Sequence, residues 1–361
     1  MIIGIFGLPA SGKTLLFSLL TGTKLDPNVF HKDGMTATAL VHDARVDALA
    51  AIFNPKKITY ASLTFSDLPG FDLGASQNEK VRVMQFIQNS DALLCVVRAF
   101  ASHAVPWPAD CQTPARQLET IRTELLLRDL AIVENRLERI AETEHRRHKL
   151  TEDEQRERKV LTAVKAGLEA ERLVSQQEID PRDQKAAGTL GLFTAKPVIV
   201  VVNTDEAQFQ QQSYPDQEFV RQECAKNGFA YLELPAKIET EINQLEEADR
   251  QVFLDEYGIH ATGIQSLSAV AYRHVGLISF LTVGEDEVRA WTIKAGTNAK
   301  EAAGAIHTSL SKNFIKAEVI PYETFMTLKD MKAAKAQNLV RLVGKEEIVQ
   351  DGDIITVRAG A

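Results

Sequence analysis

The sequence predicts an α/β fold class, in which a mostly parallel sheet is covered by crossover helices. Strand-like apolar runs at residues 2–6, 62–66 and 92–97 alternate with helical patterns such as residues 14–20. A later run at residues 196–202 is β-branched and almost wholly apolar, as expected of a central strand covered on both faces. This alternation is typical of parallel sheets, because each parallel pair needs a crossover connection.

A long helical stretch interrupts the α/β pattern. No glycine occurs between Pro114 and Gly167, and apolar residues recur at alternating steps of four and three. These residues are Leu126, Leu130, Val133, Leu137 and Ile140. Such heptad spacing predicts two helices that form a coiled-coil-like hairpin, with its tip at residues 145–153.

The last 85 residues have a different pattern of short strands around one helix. The strands are predicted at residues 287–293, 317–321 and 354–358, and the helix at residues 299–310. We therefore expect an α/β domain at residues 1–113 and 190–276, an inserted helical hairpin at 114–189, and a small β-grasp-like domain at 277–361.

Composition excludes several classes of protein. No run of eighteen apolar residues is present, and three scattered cysteines fit neither a disulfide framework nor a zinc site. A net charge of -8 argues against a protein that coats nucleic acid nonspecifically, although a local basic face remains compatible with it. We expect a cytoplasmic protein with no membrane partner and no DNA partner.

The most informative motif lies between the first predicted strand and the following helix. It matches the phosphate-binding loop of nucleotide hydrolases in full, with residues Gly7, Leu8, Pro9, Ala10, Ser11, Gly12, Lys13 and Thr14. Glycines let backbone N–H groups turn toward phosphates at the start of the helix. We expect Lys13 to contact the β and γ phosphates and the Thr14 hydroxyl to bind Mg²⁺.

A second motif follows the strand at residues 62–66. Asp67, at the strand end, is predicted to hold Mg²⁺ through water and, with Lys13, to serve catalysis. Pro69 and Gly70 complete the motif, and Phe71 stands where many small GTPases carry the glutamine that orients the attacking water. An apolar side chain cannot do this. Backbone groups, another side chain or a partner would then have to place the water.

The base-reading segment is predicted at residues 203–206, Asn-Thr-Asp-Glu, after the apolar strand. GTPases carry Asn-Lys-x-Asp there to read guanine. The lysine position is occupied by Thr204 and the aspartate position by Glu206, while Asn203 matches the donor and acceptor of an adenine edge. Ala236 and Lys237 lie in a loop similar to the one that closes such sites beside the base.

The order of these parts resembles the YchF, or Obg-like ATPase, family over nearly the whole chain. The most specific agreement is with the TGS domain of that family, at residues 287–293, 302–308, 314–320 and 348–353. The resemblance implies an ATP-preferring member of the translation-factor-related GTPase class. It places Asn203 and Glu206 at the matching Asn-x-x-Glu positions, and it implies a partner in ribosome-associated biology, either the ribosome or a structured RNA.

The chain also departs from this family. Ala10 and Ser11 replace the usual Asn-Val, which removes the asparagine on which potassium-assisted hydrolysis depends in related proteins. Thr36, in a shortened segment, is predicted as a second magnesium ligand, and the glycine-free residues 77–84 predict a helix in place of a glycine-rich switch. We expect a slow Mg-dependent ATPase. The alternatives are a nucleotide-binding regulatory or scaffold protein with negligible turnover, and a GTPase.

Overall fold

A computed structural model describes residues 1–23, 35–68, 77–102, 105–107, 110–147, 149–180, 182–183, 188, 190–246, 249 and 262–360, with only the backbone at 77–80. The chain forms two compact units. The first contains Met1–Ala37 and Thr64–Ile264, and the second contains Thr38–Leu63 and Gln265–Ala361. In the described part of the chain, no helix is long and apolar enough to cross a membrane.

The described strands are β1 Ile2–Phe6, β2 Met35–Val41, β3 Lys57–Thr59, β4 Ala61–Asp67, β5 Ala92–Arg98, β6 Val198–Asn203, β7 Ala230–Leu234, β8 Leu277–Thr282, β9 Glu287–Lys294, β10 Phe314–Pro321, β11 Arg341–Val343 and β12 Asp353–Ala359. The described α-helices are α1 Lys13–Thr21, α2 Ala44–Phe53, α3 Gln77–Asn89, α4 Pro114–Arg147, α5 Glu152–Glu169, α6 Glu206–Gln211, α7 Gln217–Asn227, α8 Ala236–Gln244, α9 Gly263–His274, α10 Ala299–Ile306, α11 Thr308–Lys312, α12 Tyr322–Leu328 and α13 Met331–Ala336.

The first sheet has the strand order β2-β4-β1-β5-β6-β7. The pairs β1–β4, β1–β5, β5–β6 and β6–β7 are all parallel. All residues of β5 and β6 are buried, which explains why both strands are apolar along almost their whole length. The predicted α/β fold class with a mostly parallel sheet is confirmed. The carboxyl ends of its central strands lie at one edge, where ligands of such sheets bind.

Helices α4 and α5 confirm the two helices predicted from the heptad spacing. Their apolar side chains share one cluster, which includes Val133 and Ile140 from α4 and Leu161 and Val164 from α5. The second helix begins at a capping box, because the Thr151 hydroxyl accepts from the backbone N–H of its third residue and that glutamate accepts from the Thr151 N–H. The hairpin therefore has its own core, and its second helix has a defined start.

A mixed sheet of order β11-β10-β12-β8-β9-β3 forms the second unit. Its edge strand β3 pairs in parallel with β9, although the two lie far apart in the sequence. Helix α2 belongs to the same unit, where Arg45 Nη1 donates to Asp351 Oδ2 at 2.9 Å and the Phe53 and Phe325 rings stack at 5.7 Å. Residues 38–63 thus complete the C-terminal unit, whereas the sequence placed them in the first domain.

The helix predicted at residues 299–310 is wrong in one respect. The chain forms two helices, α10 and α11, separated at His307, whose backbone is extended with φ -162° and ψ 141°. The His307 side chain caps α11, because its Nδ1 accepts from the Ser309 N–H at 3.2 Å. Neither glycine nor proline marks this break, so the helical pattern continues through it in the sequence.

Candidate functional site

The phosphate-binding loop connects β1 to α1 and fits tightly against the two neighbouring strands. Gly7 and Gly12 have φ values of 149° and 97°. A Cβ atom on Gly7 would lie 2.4 Å from the Val96 carbonyl oxygen, and one on Gly12 would lie 2.3 Å from Asn203 Nδ2. No other residue fits at either position without displacing β5 or the Asn203 side chain. The two glycines of the motif are therefore required by the shape of the loop.

Lys13 is held inside this loop. Its side chain is buried, and Nζ donates to the Leu8 carbonyl oxygen at 2.7 Å. Burial lowers the pKa of Lys13 to about 8, and the nearby Asp67 carboxylate partly opposes that shift. The loop thus encloses a cation that a phosphate group can neutralise.

The predicted metal ligands come from three elements. Asp67 ends β4 opposite Ile5 of β1, and the next residue is fixed there because its N–H donates to the Ile5 carbonyl oxygen at 3.1 Å. Thr36 of β2 is exposed and lies beside the same strand, with its Oγ1 3.4 Å from Ser66 Oγ. Thr14 is exposed in the first turn of α1. Asp67 and Thr36 therefore belong to neighbouring strands.

This donor set suits magnesium. Hydroxyl and carboxylate oxygens are the hard ligands that Mg²⁺ prefers, and Mg²⁺ usually takes only one or two protein ligands besides water and nucleotide phosphates. Among the described residues there is no group of three or more His, Cys, Asp or Glu side chains that could hold a metal ion. A divalent cation at this loop would therefore depend on the Thr14, Thr36 and Asp67 oxygens and on the nucleotide itself.

Asn203, at the end of β6, joins the phosphate loop to the first residue of α8. Ala236 and Lys237 therefore begin a helix and do not lie in the predicted loop. Its Nδ2 donates to the Ser11 carbonyl oxygen at 3.1 Å, and its Oδ1 accepts from the Ala236 N–H at 3.2 Å. The side chain is buried, so the amide acts as a bridge within the protein. Its pairing with an adenine edge stays a prediction, and the bridge is a role that the sequence did not indicate.

The rest of the base-reading segment has distinct local roles. Asp205 is the N-cap of α6, since its side chain accepts from the Gln208 N–H at 3.0 Å. Glu206 is the exposed first residue of that helix. The side chain of Lys237 is 87% exposed and lies 4.0 Å from Glu241. The aspartate of this segment is thus occupied by the helix terminus, while Glu206 and Lys237 remain at the surface.

Two family profiles match two parts of this chain. Residues 277–360 match the family profile of the YchF-type GTPase C-terminal region, described as a protein of unknown function, and residues 2–136 match the profile described as a 50S ribosome-binding GTPase. The chain is 35% identical to the ribosome-binding ATPase YchF of Bacillus subtilis, with 98% of each chain covered. The chain belongs to the YchF family. It is also 32% identical to the ribosome-binding ATPase YchF of Escherichia coli O157:H7, covering 98% of this chain and 97% of that one.

A solved structure agrees with this YchF assignment. The structure of the Schizosaccharomyces pombe YchF GTPase superposes with a TM-score of 0.87 at 27% identity, covering 99% of this chain and 97% of that chain. The family resemblance seen in the sequence is therefore confirmed.

Two hydroxyl groups of this YchF-family chain are features that the motifs did not reveal. Ser11 Oγ and Thr204 Oγ1 are buried and have no hydrogen-bond partner among the described residues. Ser11 replaces the valine usual at this position of the YchF loop, so its hydroxyl adds a polar group beneath the loop. Buried hydroxyls without partners destabilise a fold.

Several predicted features of the YchF-type switch cannot be placed. Pro69, Gly70 and Phe71 lie outside the described residues, so the missing water-orienting side chain stays a prediction. The helix predicted at residues 77–84 is confirmed, because these residues begin α3.

Proposed function

We propose that this chain binds Mg-ATP at the phosphate-binding loop and hydrolyses it slowly. The observation that carries the proposal is the buried Lys13 cation, enclosed by a loop whose two glycines leave room only for backbone. Lys13 and the loop N–H groups would hold the phosphates. Thr14, Thr36 and Asp67 would hold Mg²⁺, which when bound neutralises charge on the β and γ phosphate oxygens.

A preference for adenine over guanine is supported by Glu206, which stands where guanine-reading proteins carry an aspartate. Guanine reading needs that aspartate to accept two hydrogen bonds from the base, whereas Asp205, one residue earlier, caps α6. Thr204 is buried and cannot supply the missing lysine. Glu206 is exposed at the matching fourth position, and with Asn203 it forms the segment that we assign to the base.

A nucleotide-regulated scaffold with negligible turnover is the second candidate. It is favoured by Ala10, because a methyl group in the phosphate loop offers no oxygen that could hold a monovalent cation. Hydrolysis also needs an oriented water, and no side chain of the phosphate-binding loop is assigned to that task. In such a scaffold, binding of the nucleotide without its hydrolysis would change the structure of the protein.

Single-turnover hydrolysis, measured beside equilibrium binding of ATP, GTP and ADP, separates these functions. Mg-ATP that binds more tightly than Mg-GTP and is converted to ADP supports the ATPase. Tight binding without conversion over many hours would leave the scaffold. A GTP dissociation constant about tenfold below that of ATP, a difference of about 1.4 kcal/mol, would identify a GTPase.

We further propose that this chain is a cytoplasmic protein that binds the ribosome; its relatives are named ribosome-binding ATPases. Lys329 and Lys332 of the second unit are exposed, whereas Lys335 pairs with Glu318 at 2.7 Å. Contacts of these lysines with RNA phosphates would weaken steeply with salt. Co-sedimentation with ribosomes at low and moderate salt, with Mg-ATP, with Mg-ADP and without nucleotide, tests the partner. Failure to sediment in every condition would refute it.

A further inference from the structure

Arg98, the last residue of β5, is a fully buried cation. Its guanidinium donates to three backbone carbonyl oxygens, those of Phe100 at 3.1 Å, Val105 at 3.0 Å and Pro106 at 3.1 Å. It also lies between two aromatic rings, with Cζ 4.5 Å from the centre of Phe100 and 4.2 Å from that of Trp107. Burial lowers the pKa of Arg98, and among the described residues no carboxylate opposes that effect.

This arrangement holds the chain after β5 against the end of that strand. A planar guanidinium can serve several carbonyls and two ring faces at once, which an ammonium group cannot. The carbonyls and rings offset the loss of hydration, because cation–π contacts gain strength when they are desolvated. Residues 99–100 and 105–107 are thus fixed by one side chain, and we call these residues the Arg98 loop.

The Arg98 loop in turn supports the base-reading segment. Arg98 is the register partner of Asn203, and the N–H groups of Ala99 and Phe100 both donate to the Asn203 carbonyl oxygen, at 2.9 and 3.2 Å. Gln208 Nε2 donates to the Ala99 carbonyl oxygen at 3.0 Å. Gln208 also completes the capping box that begins α6, whose first residue is Glu206. Both ends of the segment therefore depend on the Arg98 loop.

The hairpin helix α4 is attached at the same point. The side-chain amide of Gln117 accepts from the Arg98 N–H and donates to the Arg98 carbonyl oxygen, each at 2.9 Å. Gln117 is buried in the first turns of α4. One residue at the end of β5 thus contacts the loop, the base-reading segment and the start of the hairpin.

We propose that Arg98 is a positioning residue that affects the affinity of the site for the nucleotide base more than its affinity for the phosphates, because Asn203 reaches the phosphate loop through a single bond to the Ser11 carbonyl oxygen. The proposal rests on the proposed function, because it concerns the same nucleotide site. Arg98 acts through Asn203 and Glu206 and does not itself touch the nucleotide. Without its guanidinium, the Arg98 loop loses its three carbonyl bonds and both ring contacts, and the segment loses its support.

The test compares two probes, Mg-ATP and Mg-tripolyphosphate, by calorimetry. Tripolyphosphate occupies the phosphate loop but has no base. The variants are Arg98→Met, which keeps the aliphatic stem, and Trp107→Ala, which removes one ring face and leaves the guanidinium in place. Arg136→Met is the matched control, since Arg136 forms an ion pair with Glu157 within the hairpin.

Loss of loop order is monitored separately through tryptophan. The chain has two tryptophans, Trp107 and Trp291, so a Trp291→Phe background makes Trp107 the sole reporter. In the Arg98→Met variant, the fluorescence emission maximum of Trp107 should shift toward the longer wavelength of an exposed tryptophan. If that variant does not fold, Trp107→Ala provides the same comparison of the two probes, without the tryptophan signal.

We expect Arg98→Met to weaken Mg-ATP binding by about tenfold or more and Mg-tripolyphosphate binding by less than about threefold, with a smaller ATP-specific loss for Trp107→Ala. Arg136→Met should leave both affinities unchanged. Equal losses for the two probes, or an ATP affinity within about threefold of wild type, would overturn the positioning role. If the wild-type protein itself binds no Mg-ATP, the proposed function fails first.

Discussion

Lys13 combines charge with burial, and its protonation should control affinity. Burial lowers the pKa of Lys13 to about 8 in the free protein, while phosphate binding needs the cation. The dissociation constant for Mg-ATP should therefore rise above pH 8, by about tenfold for each further pH unit. Below pH 8 the buried cation costs folding free energy, and this cost falls as pH rises toward the ordinary value of 10.5.

Titration calorimetry between pH 7 and 9.5 checks this expectation. Lys13→Ala is the control. It should bind Mg-ATP too weakly to measure, or with an affinity that does not depend on pH in this range. A wild-type affinity that stays constant to pH 9.5, together with a Lys13→Ala affinity equal to that of the wild type, would show that the Lys13 cation does not hold the phosphates.

The buried hydroxyl of Ser11 should lower the stability of the folded chain. This hydroxyl has no partner among the described residues, so Ser11→Ala should raise the free energy of unfolding by about 1 kcal/mol. Ser90 is the matched control, because it is similarly buried but donates to the Phe86 carbonyl oxygen at 3.1 Å. Ser90→Ala should lower the free energy. Urea denaturation measures both, and a destabilised Ser11→Ala would indicate an internal water or partner at that hydroxyl.

The phosphate-loop residues were predictable because the motif is contiguous and its glycines have a local conformational cause. Asn203 was assigned from its position, but its bridge joins the phosphate loop to the start of α8 and exists only in the folded chain. Arg98 was missed. The available signal was a lone arginine that ends an apolar run, which predicts a buried cation but does not name its partners.

At the scale of elements, Asp129 of α4 attaches the hairpin to the segment that leads into β6 of the same unit. This buried carboxylate accepts from the Phe193 and Thr194 N–H groups, at 2.7 and 2.8 Å, and from the Thr194 hydroxyl at 2.6 Å. It thereby holds the short 3-10 helix Phe193–Ala195, which leads into β6. Burial raises the pKa of Asp129, and these donors oppose that effect.

Replacing Asp129 by alanine leaves three buried donors without an acceptor, so we expect a loss of about 3 kcal/mol or more in the free energy of unfolding. Glu134 on the same helix is the control. Its ion pair with Lys165 is partly exposed, so Glu134→Ala should cost less than about 1 kcal/mol. Equal losses for the two variants in chemical denaturation would contradict the anchoring role of Asp129.

Heptad spacing predicted α4 and α5 because their periodicity extends over many turns. The break at His307 was not predictable in the same way. It depends on one residue that leaves the helical conformation and caps the next helix with its ring nitrogen, and histidine is not among the usual cap residues.

At the scale of the whole molecule, residues 38–63 belong to the unit formed with residues 265–361. Pairing of β3 with β9 joins residues more than two hundred positions apart, and no local sequence pattern predicts this pairing. Val46 and Leu49 of α2 are fully buried in the unit that also contains residues 265–361. The boundary that the sequence places at residue 277 separates residues 38–63 from the rest of their unit, so we expect that residues 1–276 do not fold alone.

Truncation after residue 276 should therefore leave α2 and β3 without partners. β3 would lose its pairing with β9, Phe53 its stacking on Phe325, and Arg45 its bonds to Asp351. Exposure of this apolar surface favours aggregation, so we expect little soluble protein and no cooperative thermal transition. Co-expression with a separate chain of residues 277–361 is the control and should restore soluble, folded protein. A truncated chain that unfolds cooperatively and binds Mg-ATP like the full chain would show that residues 38–63 need no partner from the C-terminal region.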